Sequence, residues 1–195
     1  SGARRNPMPD ESMPRSVFLK KAGTTFLLLT TSGTVLSTLH CGTHMARDLR
    51  FKNLDDALLE IDRVSVSAKV ETNGPWNSSQ VFAHLAQSIE YSMTGYPENK
   101  PAIFRKTIGR IVLAKFLGQG YMQHNLSDAI PGAPALDANL PFTDAVARLK
   151  KAISDFRAFQ DHLAMHFVYD EATKDQYERV HAYHIANHLS AFTIG

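Results

Sequence analysis

The stretch from Thr173 to Phe192, TKDQYERVHAYHIANHLSAF, decides how the rest of the chain is read. Thr173 with Gln176 three residues later can satisfy the free amides at a helix start, and nothing after them breaks a helix. The spacing therefore predicts the last long helix of the chain. At roughly 100° per residue, His181, His184 and His188 fall on one stripe with Tyr177, Ile185 and Phe192. Lys174, Arg179 and Ala186 lie opposite, so the histidine stripe is expected to face the core. Imidazoles on a buried stripe are costly unless each finds a hydrogen bond or a metal. His184 and His188, four apart, can present ring nitrogens from adjacent turns to a single ion.

Working outward, composition narrows the function classes. The net charge of +2 over 195 residues is too small to imply nucleic acid, and no basic stripe with interleaved aromatics is present. The single cysteine, Cys41, excludes an intrachain disulfide framework and any cysteine-rich zinc site. Nine histidines, five of them after residue 160, mark where chemistry is to be sought.

Upstream, Asn53 is expected to cap a first helix with Leu54, Leu58, Ile61 and Val64 on its apolar face. Residues 65 to 75 read as a connector ending in Asn73-Gly74-Pro75. A second helix follows Trp76, capped by Asn77 or Ser78 with Gln80. Val81, Phe82, Leu85, Ile89 and Met93 form its inner face, and Gly95 and Pro97 end it. Pro101 suits the first turn of a third helix with Ile108, Ile111, Val112 and Phe116 facing in. Gly109 within it marks a close approach or a break. Residues 118 to 142 have no period, and a loop of that length in a compact domain is often functional. Thr143 is expected to cap a fourth helix with Val146, Leu149, Ile153, Phe156 and Leu163 inside. The fold class predicted is all-α, with no strong strand alternation.

The candidate ligands follow from this layout. Metal sites in helical proteins use inward side chains of facing helices, so His184 and His188 need a third ligand from elsewhere, and His84 on the second helix is best placed. Three neutral imidazoles leave coordination positions open, as in a catalytic site. The competing reading is three core histidines bonded to Tyr, Asn or backbone groups. A rival pair, His162 and His166, reads as cations at the C-terminus of the fourth helix. His124 is a candidate acid or base if its loop covers the site, and an exposed loop histidine otherwise. Tyr91 can donate to a metal-bound group or simply pack, and Trp76 reads as a hydrophobic staple.

Three segments carry a family resemblance: GPWNSSQVFAHLAQSIEYSMTGYP (74–97), HNLSDAIPGAPAL (124–136) and HFVYDEATKDQYERVHAYHIANHLSAF (166–192). From about Phe51 to Phe192 the chain resembles the DinB/YfiT-like superfamily, in particular its branch called domain of unknown function 1569. The resemblance implies an up-down-down-up four-helix bundle with a divalent metal (Zn, Ni or Fe) on three histidines. One comes from the second helix and two from the HxxxH of the last, positions matched by His84, His184 and His188. It implies a small-molecule substrate and a homodimer. Related branches use a low-molecular-weight thiol such as bacillithiol, mycothiol or glutathione, which makes hydrolysis or thiol-dependent transfer the expected reaction class. By analogy of fold alone this is no more than a class.

Residues 1 to 45 are read as a leader or arm and 46 to 195 as the domain. Arg15, Phe18, Leu19 and Lys20 resemble part of a bacterial twin-arginine export signal, with Ser16 where the second arginine belongs, followed by an apolar run from Phe26 to Leu39. A working leader implies the periplasm and its absence the cytoplasm. Membrane association is expected only where the leader is retained. The alternative to an enzyme is a non-catalytic envelope-associated or interaction module.

Overall fold

A computed structural model describes residues 47–195; the leader expected over residues 1 to 45 lies outside them. The described residues are mostly helical, in line with the all-α expectation, with one short two-stranded ribbon added.

Helix α1 (Leu54–Ser65) starts where the Asn53 side chain accepts the amides of Asp55 and Asp56 at 3.0 and 3.1 Å. It buries Leu54, Ala57, Ile61 and Val64. Helix α2 (Ser78–Thr94) begins in a full capping box: Asn77 accepts the Gln80 amide at 2.9 Å, and Gln80 accepts the Asn77 amide at 3.1 Å. It ends at Gly95, whose φ of 102° disfavours any residue with a side chain. Replacing Asn77 with alanine also removes its bond to the Ala138 carbonyl. The variant is expected to lose about 1 kcal/mol, read as a lower urea midpoint at constant slope. An unchanged midpoint would show that the cap contributes nothing.

The third helical segment departs most from expectation. It runs α3 (Ala102–Phe104), a π turn (Arg105–Gly109), then α4 (Arg110–Gln119). The extra residue in the π turn rotates the face that follows it. Arg105, Gly109, Leu113 and Phe116 become the buried stripe, while Ile108 and Ile111, expected inside, are 49% and 66% exposed. Gly109 explains the rotation, because a Cβ there would lie 1.9 Å from the Val168 carbonyl oxygen. Close approach of backbone to backbone fixes this face.

The following loop is pinned along α2 by side-chain amides. Gln87 donates to the Pro134 carbonyl, Gln80 to Leu136 and Asn77 to Ala138, so the loop runs antiparallel to the helix. Helix α5 (Phe142–Ala158) has Pro141, not Thr143, at its N-cap, and the Thr143 hydroxyl donates to Asp144 instead. Its inner face is Val146, Leu149, Ile153 and Phe156 as expected, but Leu163 is buried from the segment beyond the helix end.

Helix α6 (Lys174–Leu189) starts in the expected capping box of Thr173 and Gln176. It stops three residues before Phe192, which joins strand β2 (Phe192–Ile194) antiparallel to β1 (Val70–Thr72) in the presumed connector, Thr72 opposite Phe192. Ala186, expected outside, is buried, because α6 is covered by neighbours on more than one side. α2 packs on α5, α6 on α1 and α2, and the main apolar core fills the space between these four. A smaller cluster of Leu113, Phe116, Met122, Tyr169, Val180 and Tyr183 joins α4 to the outer side of α6.

Candidate metal centre and cavity

The capping box of α2 sets the phase that turns His84 inward, and the box of α6 does the same for His181 and His188. His84 Nε2 and His184 Nε2 come to 3.3 Å. The ring centroids of His84, His184 and His188 are 4.8 to 5.1 Å apart. One nitrogen from each ring lies within 4.8 Å of the others, so the three can hold a metal ion. At bond lengths of about 2.0–2.1 Å, two nitrogens on a tetrahedral zinc sit roughly 3.3 Å apart, the spacing found for His84 and His184. His188 Nε2 is buried without any hydrogen-bond partner, a costly state for a polar atom that ligation would relieve. The donor set therefore fits a cation. His84 Nδ1 is likewise buried and unpartnered.

Ligation needs neutral imidazoles, and the site supplies them. Burial, helped by the nearby His124, pushes His84 down to about 4. Burial first, and then the neighbouring histidines, hold His184 and His188 well below their ordinary value.

His124 is brought here by the loop pinned along α2. Its ring lies 4.9 Å from that of His184 and 5.2 Å from that of His188, and its Nδ1 bonds the Asn125 carbonyl at 2.8 Å. It is half-buried beside the cluster, not an exposed loop histidine. Tyr91 instead packs on Tyr96, 6.0 Å between centroids, and is not among the residues lining the adjoining cavity. His181 is satisfied in the core: Ser92 gives its own proton to the Ile89 carbonyl and accepts from His181 Nε2 at 3.1 Å. The His181 ring stacks on Tyr177 and meets the edge of Phe156.

Two histidines need correction. α5 ends at Ala158, so neither His162 nor His166 acts as a helix-terminal cation. His162 is exposed, whereas His166 is buried, stacked 4.0 Å from Tyr169, with Nδ1 accepting the amides of Val168 and Tyr169. The turn at Asp170, with φ of 67°, folds this segment back and carries His166 inward.

Trp76 does more than staple the helix start. It reaches the core as a staple should, but its ring also lies 4.9 Å from His84 and parallel to His188 at 6.3 Å. It thus forms one wall of the histidine cluster. Its position just ahead of the cap of α2 was the signal at hand; its stacking on α6 depends on a contact across the chain.

On the other side the cluster opens to a cavity of about 610 Å³, a size suited to a small molecule. His84, His124, His166, His181 and His184 give it a polar wall, and Val112, Phe116, Met122, Ile130 and Val180 an apolar one. Lys100 and Asp128 supply its charges.

Against known proteins, no curated sequence and no solved structure gives a match. A family model described as protein of unknown function (DUF1569) matches residues 43–194, a span containing every element from α1 to β2. The chain belongs to that family.

Proposed function

We propose that the protein is a metal-dependent enzyme of the DinB-like type, acting on a small molecule held in the cavity beside the histidines. The observation that carries this reading is the convergence of three neutral imidazoles, two of them with a buried and unpartnered nitrogen, beside a cavity that His84 and His184 line. His84, His184 and His188 would hold a divalent ion of the Zn, Ni or Fe kind. Such an ion lowers the pKa of a bound water or thiol and so supplies a nucleophile at neutral pH, for hydrolysis or for transfer with a low-molecular-weight thiol. The chain's own residues would do the rest. His124, half-buried beside His184, would take or give a proton, and burial lowers its pKa against the opposing pull of the Asn125 carbonyl and Asp128. Trp76 would keep water from the far side of the cluster. The packing of α1, α2, α5 and α6 around one core supports a four-helix arrangement of DinB type.

Elemental analysis of protein purified without chelator tests the reading. About one divalent ion per chain is expected, falling to background in His188→Ala, a substitution that leaves the α6 cap untouched. Equal, near-zero metal in both proteins would remove the basis for a metalloenzyme. A non-catalytic interaction module is the second reading, favoured by exposed apolar side chains on α3 and α4.

A further inference from the structure

The helical segment α3–α4 carries a surface that the cavity chemistry does not use. Ile103, Ile108 and Ile111 are 74%, 49% and 66% exposed, and Phe104 is exposed beside them. Ile103, Thr107 and Ile111 succeed one another at four-residue intervals, opposite the buried stripe of Arg105, Gly109, Leu113 and Phe116. An apolar row this open on a helix is unusual for a surface meant only for water.

Its charge is one-sided. Residues 99–119 contain Lys100, Arg105, Lys106, Arg110 and Lys115 and no carboxylate; Arg105 is buried on the opposite side, and Lys106, Arg110 and Lys115 are exposed. The cations of α5 are paired, Arg148 with Glu90, Arg157 with Asp55, Lys151 with Asp155 and Lys150 with Asp62, whereas Lys174 and Arg179 of α6 donate to backbone carbonyls and the Tyr183 hydroxyl. Among the described residues none of the five on this segment makes an ion pair; Arg110 donates only to the Tyr169 and Glu171 carbonyls. Asp170 and Glu171 share a shallow depression with Lys106 and Arg110 without closing a salt bridge.

We propose that α3–α4 docks the domain onto an anionic membrane surface. An exposed apolar row bordered by lysines is what an interfacial helix requires. The apolar side chains enter the acyl boundary, and the long lysine stems reach back to phosphate and carboxylate headgroups. A second copy of the chain is the poorer occupant, because a two-fold contact would bring two sets of unpaired cations together. Lys100, Val112 and Phe116 of the same segment line the histidine cavity, so the docked helix lies directly alongside it.

Co-sedimentation of the full chain with vesicles tests this, using phosphatidylcholine alone and phosphatidylcholine mixed with phosphatidylserine. Binding is expected to the anionic vesicles, weaker by roughly tenfold or more on neutral ones and in high salt. Ile103→Asp with Ile111→Asp, and separately Lys106→Gln with Lys115→Gln, should each cut binding to anionic vesicles by a similar factor. All four positions are exposed, so an unchanged melting temperature confirms that each variant is folded. Equal binding to both vesicle types, or binding unaffected by either double variant, overturns the proposal and assigns any lipid affinity to another part of the chain. A concentration-dependent dimer that Ile111→Asp abolishes, with no vesicle binding, would make the face a self-interface and overturn it too.

Discussion

Lowering the pH from about 7 to about 5 is expected to unfold the domain. His84, His166, His181 and His188 are buried, and burial is the first cause holding each below its ordinary value, His84 at about 4 and His181 at about 3. The unfolded chain binds these protons with a pKa of about 6.5, the folded chain only well below that. Where the folded value is depressed, the unfolded state takes up more protons as pH falls. The stability is therefore complete above about 6.5 and is lost on the way down towards the folded values. Each such group contributes a slope of about 1.4 kcal/mol per pH unit in that window. Several acting together consume a large share of the roughly 5–15 kcal/mol that holds a domain. Bound metal does not reverse the sign, since ligating imidazoles must also be free of the second proton. Urea midpoints measured from pH 7.5 downwards, with and without chelator, check this. A midpoint flat to about pH 4 would mean that these histidines are hydrated and not buried.

Replacing Gly109 with alanine is the second large effect expected. The added Cβ would meet the Val168 carbonyl oxygen at 1.9 Å and its carbon at 2.9 Å, and both belong to backbone that cannot rotate away as a side chain can. Helix propensity alone would favour alanine by about 1 kcal/mol. The clash opposes that gain and wins, because relief requires moving α4 off the 166–170 turn that positions His166. A net loss of roughly 3 kcal/mol is expected, with a melting temperature lower by about 10 °C. The same change at Gly118, where nothing lies within 4 Å of the new Cβ, serves as the control and should be neutral or stabilising. A Gly109→Ala protein as stable as its parent would show that α4 does not pack on this turn.

What could be read from the chain alone was what local spacing controls. Asn53, the Asn77–Gln80 pair and the Thr173–Gln176 pair each start the helix they were expected to start. Helix phase then turns His84, His184 and His188 toward one another, which is why the cluster of three histidines was legible without a structure. Apart from the cap of α5, where Pro141 stands in place of Thr143, the misses come from contacts between distant segments. Ile108 and Ile111 obey an ideal 3.6-residue period on paper, and the π turn that rotates them outward answers to Val168, about sixty residues away. Phe192 continues a helical stripe in sequence but leaves it to pair with Thr72. His124 could be placed only by the bonds from Asn77, Gln80 and Gln87 that lay the loop along α2. His166 needed the reversal at Asp170.

The central claim is that His84, His184 and His188 together hold one ion. Its most direct test is an anomalous difference map from crystals of protein purified without chelator, collected on both sides of the absorption edge of the metal that elemental analysis finds. The account expects one peak about 2.0–2.2 Å from a ring nitrogen of each of the three histidines, present above the edge and absent below it. No peak there in metal-replete crystals, with His84 and His184 bonded directly to each other, would contradict it and return the cluster to the core.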